Sequence, residues 1–163
     1  MIHLSAEKIN LRAPYRVTQV DDAILGFTTK YGICYSAGFV HDVSIYENGV
    51  YQFFLINTSG KIGPKDDCIY DTIRVIIEEF FALDEVVMLY ICDTTDGRQA
   101  SRDRLFRAWF YTYVDSASFM MFSKTMTIDK VHYFSSILMR QNHPLQTEII
   151  NSFINFTEEH NQG

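Results

Sequence analysis

The pattern of apolar and polar residues predicts that the chain opens with antiparallel strands. Residues 23–40 contain two apolar runs around a turn at Lys30 to Gly32. Residues 43–57 place Asn48-Gly49 between apolar runs, a pair that predicts a hairpin because both residues tolerate positive φ. Three or four antiparallel strands are therefore expected here, and a short strand at Tyr15 to Thr18 can precede them.

The apolar spacing changes to a helical period after a loop at residues 58–67. Asp66 and Asp67 near the start of this helix suit the positive end of its dipole. Residues 86–92, VVMLYIC, carry no charge and begin with β-branched residues. Such a run is typical of a strand that is buried on both faces in the middle of a sheet. The predicted apolar face of the helix consists of Ile69, Tyr70, Ile73, Ile76, Ile77, Phe80 and Phe81.

The last third of the chain predicts a hairpin and a helix. Two apolar runs, FMMFSKTMTI and VHYFSSILM, turn at Asp129-Lys130, and a helix is expected from Pro144 to about Glu159 because proline suits the first helical position. The predicted order is β-β-β-α-β-α-β-β-α. This order indicates a single α+β domain over residues 1–163, with helices packed on a mixed, mostly antiparallel sheet.

Residues 92–110, CDTTDGRQASRDRLFRAWF, concentrate four arginines directly after the buried strand. Asp96 with Gln99 forms a capping-box pattern, which predicts a helix over residues 97–113. At about 100° per residue, Arg98 and Arg102 lie on the same stripe as the apolar side chains of this helix. Arg104 lies on the other side and is expected to be solvated, as is Arg107.

Core-facing guanidinium groups must be paired or must contact a ligand. One interpretation is structural, in which Arg98 and Arg102 pair with Asp93, Asp96 or another carboxylate at the strand-to-helix joint. The other is a bound phosphate, carboxylate or partner side chain, because ligands gather at the carboxyl ends of strands and helix N-termini favour anions. The candidate ligand-binding residues are Asp93, Asp96, Arg98, Arg102 and Arg104.

Composition narrows the functional classes. The net charge is −6 and the pI is about 5.3, which argues against a general nucleic-acid binder. Cys34, Cys68 and Cys92 lie too far apart for a zinc pattern, and no histidine pair has metal-ligand spacing. No apolar stretch approaches the ~20 residues that span a bilayer, and the amino terminus lacks a signal-peptide pattern. We therefore expect a cytoplasmic protein without a metal, a cofactor or a membrane anchor.

The helix ending EEFF, followed by VVMLYICDTTDGRQASRDRLFRAWF, resembles a family of small, uncharacterised bacterial proteins. A similar helix–strand–helix block forms the centre of that family. The resemblance covers roughly residues 15–140. It supports the domain limits and draws attention to Asp96, Arg98, Arg102 and Arg104, and it implies no reaction.

The order of strands, helix, central strand, helix and hairpin is also similar to the core of GNAT-type N-acetyltransferases. In that resemblance Ser101, Leu105 and Phe106 occupy the places of the small, Leu and Tyr residues of a helix motif. The glycine-rich pyrophosphate loop is missing, Phe106 has no hydroxyl to donate, and Asp93-Thr94 replaces an asparagine. The resemblance implies acetyl-CoA as cofactor only if these departures are tolerated.

The sequence as a whole predicts a non-catalytic binding or protein-interaction domain. The expected partner is another protein or a second copy of the chain, since exposed tyrosines and a carboxyl-terminal hairpin suit such contacts. The preferred site is an anion-accepting pocket within residues 93–102. The alternative is a GNAT-like acyl-CoA-dependent transferase or a binder of a small phosphorylated ligand.

Overall fold

The computed structural model describes residues 2–92 and 117–159. The described strands are β1 Thr18–Asp21, β2 Ile24–Thr28, β3 Cys34–His41, β4 Val50–Asn57, β5 Val87–Cys92, β6 Phe119–Ile128 and β7 Val131–Arg140. The described helices are α1 Ala6–Asn10, α2 Asp67–Phe81 and α3 Gln146–Glu159. The strands form one mixed sheet in the order β1-β2-β3-β4-β5-β7-β6. Over these residues the predicted α+β class and order of elements are confirmed, and the helix predicted over 97–113 lies outside them. The short helix α1 was not predicted.

The chain divides into two compact units. The first contains residues 1–40 and 53–86, and the second contains residues 41–52 and 87–163.

In the first unit, β1, β2 and β3 pair antiparallel. The turn between β2 and β3 closes with a hydrogen bond from the Thr29 N–H to the Ile33 carbonyl at 2.9 Å, and Gly32 has a φ of +74°. This confirms the predicted turn at Lys30 to Gly32. In β3, Gly38 lies very close to the turn between β1 and β2. A Cβ atom at this position would stand 2.3 Å from the Ala23 carbonyl oxygen.

Helix α2 and the strands form the aromatic core of this unit. Phe39 of β3 stacks on Phe80 of α2 with ring centroids 4.0 Å apart, and Phe53 packs against Phe39. The predicted apolar face is wrong at one position, because Tyr70 is 41% exposed. The first turn of the helix packs less deeply than the last, where Phe80 and Phe81 are both buried.

In the second unit, β5 lies between β4 and β7. It pairs parallel with β4, joining Val50–Gln52 to Val87–Leu89, and antiparallel with β7. The central position predicted for residues 86–92 is therefore confirmed. Helix α3 covers one face of this part of the sheet. The core there is built from Ile45, Val50, Val87, Leu89, Ile137, Met139, Ile149 and Phe153.

The structure agrees with the turn predicted at Asp129-Lys130 and differs from the one predicted at Asn48-Gly49. Asp129 and Lys130 have φ of +50° and +67° and directly join the paired residues Ile128 and Val131, so the predicted two-residue turn is confirmed. The connection at Asn48-Gly49 is longer than a two-residue turn. β3 ends at His41 and β4 begins at Val50, because the Asp42 side chain accepts hydrogen bonds from Ser44 and turns the chain early.

The last helix begins two residues later than predicted, at Gln146 rather than Pro144, and ends at Glu159 as expected. His143 precedes it and accepts a hydrogen bond at Nδ1 from the Leu145 N–H at 3.1 Å. This contact satisfies one N–H group at the start of the helix.

Candidate functional site

The carboxyl end of β5 is the position from which the sequence predicts a binding site. Val87, Met88 and Leu89 are completely buried, and Cys92 at the end of the strand is 3% exposed. Cys92 lies opposite Phe134 of β7. The strand that leads to the predicted site is therefore enclosed on both faces and has a neighbour on each side.

The candidate residues themselves follow this strand. Asp93, Asp96, Arg98, Arg102 and Arg104, together with the predicted helix over 97–113, lie outside the described residues. Their assignment to an anion-accepting site stays a prediction.

Two buried serines of β7 lie beside the end of β5. Ser135 and Ser136 are each 1% exposed and lie opposite Ile91 and Tyr90. The Ser135 hydroxyl donates to the Lys124 carbonyl at 2.9 Å, and the Ser136 and Ser123 hydroxyls share a hydrogen bond of 2.7 Å. Because both hydroxyls have partners within the hairpin, their burial is explained by the packing of β6 on β7.

A second polar cluster lies in the first unit, where α2 begins. Asp66 is 6% exposed and accepts a hydrogen bond from the Cys68 N–H at 3.1 Å, which makes it the N-cap of α2. Its other carboxylate oxygen accepts a hydrogen bond from the Tyr15 hydroxyl. The same hydroxyl oxygen accepts a hydrogen bond from the Lys30 N–H at 3.3 Å. Tyr15 thus connects the cap of α2 with the turn between β2 and β3.

Two tyrosines at this cluster have raised pKa values. Burial, followed by the hydrogen bond to Asp66, raises the pKa of Tyr15 above its ordinary value of 10.0. Burial, followed by the charges of Tyr70 and Asp66, raises the pKa of Tyr35 as well. Because both pKa values are raised, both phenols keep their protons at neutral pH, and the Tyr15 hydroxyl donates its hydrogen bond to Asp66.

Sequence reasoning recognised Asp66 only as a residue near a helix start and missed its pairing with Tyr15. The two residues are 51 positions apart. Their contact forms only when the strands between them fold so that Tyr15 lies beside the start of α2. No local spacing rule connects positions so far apart.

The described histidines take part in local contacts. The ring of His41 lies 5.2 Å from that of Tyr51, and His132 contacts the Thr127 hydroxyl at 3.0 Å. His132 is exposed. It stands near the tip of the β6–β7 hairpin, where the sheet meets solvent.

Within residues 2–92 and 117–159, no group of histidine, cysteine, aspartate or glutamate side chains is arranged to hold a metal ion. None of Cys34, Cys68 and Cys92 forms a disulfide; Cys92 is buried and the other two are half-buried. Over the same residues, no helix combines the length and the apolar character that crossing a lipid bilayer requires.

One known family model matches the part of the chain that runs from just before α2 into α3. A family of unknown function, DUF6169, matches residues 65–155, which is more than half of the chain. The chain belongs to this family. The predicted membership in a family of uncharacterised proteins is thereby confirmed.

The DUF6169 match begins just before the Asp66 cap and ends within α3. It includes β5 and all five candidate residues between Asp93 and Arg104, whereas β1 to β4 lie before it. A comparison with curated proteins gives no match.

Proposed function

We propose that this protein is a non-catalytic binding domain that accepts an anionic group at the carboxyl end of β5, within residues 93–102. One observation carries the proposal: β5 is central and buried, with a parallel neighbour in β4 and an antiparallel neighbour in β7. In open sheets with crossover helices, ligands gather at the carboxyl ends of the strands, and residues 93–102 follow the carboxyl end of β5.

The proposed chemistry rests on the side chains that follow Cys92. Arg98 and Arg102 would hold a phosphate or carboxylate, because guanidinium groups bind such anions with two parallel hydrogen bonds. Asp93 and Asp96 would orient these guanidinium groups, and Arg104, on the other side of the predicted helix, would add positive charge to the same segment. The anion can belong to a small molecule or to a carboxylate of a protein partner.

A thermal-shift panel with inorganic phosphate, simple carboxylates and nucleotides tests the site. A ligand at 100 times its Kd adds about 2.7 kcal/mol, which raises the Tm of a chain this size by about 5–10 °C. The double substitution Arg98→Ala with Arg102→Ala should abolish that rise while leaving the far-UV circular dichroism unchanged. Arg107→Ala, on the opposite side of the predicted helix, is the matched control and should keep the response.

Two results would contradict the proposal. The first is that none of these anions shifts the Tm of the wild-type protein. The second is that the double variant unfolds while Arg107→Ala does not, which would assign Arg98 and Arg102 to structural ion pairs at the joint.

The second candidate is an acyl-CoA-dependent transferase of GNAT-like type. The observation that favours it is the element order of the described residues, in which strands, α2, central β5 and the β6–β7 hairpin follow one another. Acetyl-CoA would then raise the Tm more than phosphate does at equal concentration. Release of free CoA with a panel of amines would support transfer, and stabilisation by phosphate without any effect of acetyl-CoA would support binding alone.

We also propose that the protein acts in the cytoplasm of a bacterium. Cys34, Cys68 and Cys92 form no disulfide, which suits a reducing compartment, where disulfides are rare. Fractionation of cells that express the full chain should recover it with cytoplasmic markers.

A further inference from the structure

The two outer strands of the sheet differ in their protection against pairing with another chain. β1 has only four residues, its register shifts between Gln19 and Asp21, and it ends in an acidic residue. Short length, irregular register and charge are the features by which sheet edges avoid edge-to-edge association. β1 is therefore a protected edge.

β6 has none of these features except a single charge. It is ten residues long, FMMFSKTMTI, and contains no proline, glycine or acidic residue. Its register with β7 runs without a shift from Phe119, opposite Arg140, to Ile128, opposite Val131. Lys124 is the only charged residue in the strand. A long, regular, mainly apolar edge is a surface on which another strand can pair.

The alternation of the β6–β7 ladder shows which backbone groups of β6 point outward. The Gln141 N–H donates to the Ser118 carbonyl at 2.8 Å, so this pair is a hydrogen-bonded one. Hydrogen-bonded and non-hydrogen-bonded pairs alternate along an antiparallel ladder. The even-numbered residues of β6 thus bond to β7, and the odd-numbered residues Met121, Ser123 and Thr125 direct their N–H and C=O groups away from it. In the described parts of the chain, no strand lies on that side of β6.

We propose that β6 pairs antiparallel with β6 of a second copy of this chain, around a two-fold axis at Ser123. Pairing requires the outward-directed residues of both strands to lie opposite each other, which restricts the register to odd residues facing odd ones. An axis at Ser123 satisfies this requirement and aligns Met121 with Thr125 of the second copy, so that the five residues from Met121 to Thr125 of each strand lie opposite each other. Both copies then contribute the same surface, as a two-fold interface requires.

The charge of Lys124 favours the register with its axis at Ser123 over the register with its axis at Lys124. An axis at Lys124 would also place odd residues opposite odd ones, but it would put the two Lys124 side chains directly opposite each other, and like charges in that position are destabilising. With the axis at Ser123, each Lys124 lies opposite Phe122 of the second copy. Cation and aromatic ring are a favourable pair.

The first test measures the mass of the full chain by light scattering after size exclusion. The wild-type protein should give twice the 19.0 kDa of one chain. Thr125→Pro should give the single-chain mass, because proline removes an N–H that points away from β7 and leaves the β6–β7 ladder intact. Thr125→Val keeps the N–H and the branched shape, so this matched control should stay dimeric.

The second test measures the register of the two β6 strands by cross-linking. It does not require β6 to accept a proline. In Ser123→Cys the two new thiols would lie opposite each other about 5.5 Å apart at Cα, within the range that a disulfide spans. Mild oxidation should produce a reducible dimer. Thr125→Cys is the matched control, since position 125 lies opposite Met121 and its own counterpart is four positions away. Both variants keep the three native cysteines, so any background cross-linking is common to them.

A wild-type protein of single-chain mass at tens of micromolar would overturn the proposal, and so would a folded Thr125→Pro variant that remains dimeric. If Thr125→Pro loses its circular dichroism spectrum, the cysteine variants decide. A dimer in Ser123→Cys that is absent from Thr125→Cys supports the pairing. Equal cross-linking of the two variants, or none in Ser123→Cys, overturns it.

Discussion

Tyr15 donates its hydroxyl hydrogen to one carboxylate oxygen of Asp66, while the other oxygen of Asp66 caps helix α2. The buried Asp66 carboxylate thus connects the start of α2 with Tyr15, which lies 51 positions earlier in the chain. A second contact strengthens the same joint, because the Tyr15 N–H donates to the Thr72 hydroxyl at 3.3 Å. The amino-terminal segment is therefore fixed to α2 by side chains that also stabilise the start of the helix.

Tyr15→Phe should destabilise the protein by about 1–3 kcal/mol, the usual loss when a buried charged acceptor loses one of its donors. The ring can still stack on Phe27, whose centroid lies 6.0 Å away, so packing is largely kept. Urea unfolding at neutral pH measures the loss. Tyr31→Phe is the matched control, because that ring is 46% exposed and its loss of a hydroxyl should change the unfolding free energy by less than about 0.5 kcal/mol. Equal effects of the two substitutions would contradict the role given to Tyr15.

The same contact predicts a loss of stability at alkaline pH. The pKa of Tyr15 is raised in the folded protein, so the unfolded chain releases this proton at a lower pH than the folded one. The stabilisation is therefore complete below the unfolded pKa of about 10 and is lost as the pH rises through the raised folded pKa. Urea midpoints measured between about pH 8 and pH 11 should fall less steeply in Tyr15→Phe than in the wild type. The raised pKa of Tyr35 leaves part of the decline in the variant.

Periodicity and turn chemistry were sufficient to predict most of the fold. The uncharged run that became β5 was placed correctly in the middle of the sheet, because a strand enclosed on both faces has no polar side to show. Helix α2 was located by its apolar period, and the turn at Asp129-Lys130 by the apolar runs on either side. These features are all local in sequence.

The features that sequence reasoning missed depend on contacts between distant segments. The connection at Asn48-Gly49 is eight residues long because Asp42 caps its own turn, a preference that competes with the asparagine-glycine signal. His132 is exposed because it lies near the tip of the β6–β7 hairpin, a position that depends on how the two strands pair. For the candidate site, the sequence supplied the central strand correctly, while the anion-accepting role of Arg98 and Arg102 stays a prediction.

Gly38→Ala should be strongly destabilising. A Cβ atom at this position would lie 2.3 Å from the Ala23 carbonyl oxygen and 2.9 Å from the Ile24 Cα, and both of these are backbone atoms that cannot rotate away. The strands would have to separate, at a cost of about 1–3 kcal/mol or more. Gly26→Ala is the matched control on the neighbouring strand, since its nearest contact would be an ordinary 3.5 Å to Val20. Thermal unfolding should show a much lower Tm for Gly38→Ala than for Gly26→Ala, and equal values would contradict the close approach of β3 to the β1–β2 turn.

The turn between β6 and β7 predicts a substitution that stabilises the protein. Asp129 and Lys130 both adopt left-handed conformations, with φ of +50° and +67°, and such conformations cost about 1 kcal/mol or more for a residue with a Cβ atom. Lys130→Gly removes that cost and should raise the unfolding free energy by about 0.5–1 kcal/mol, since glycine is the residue that this turn type favours at its second position. Lys130→Ala is the matched control. It removes the same charge and side chain but keeps the Cβ atom, so it should give no gain. If alanine stabilises the protein as much as glycine does, the effect comes from the lost charge and the backbone conformation is not its cause.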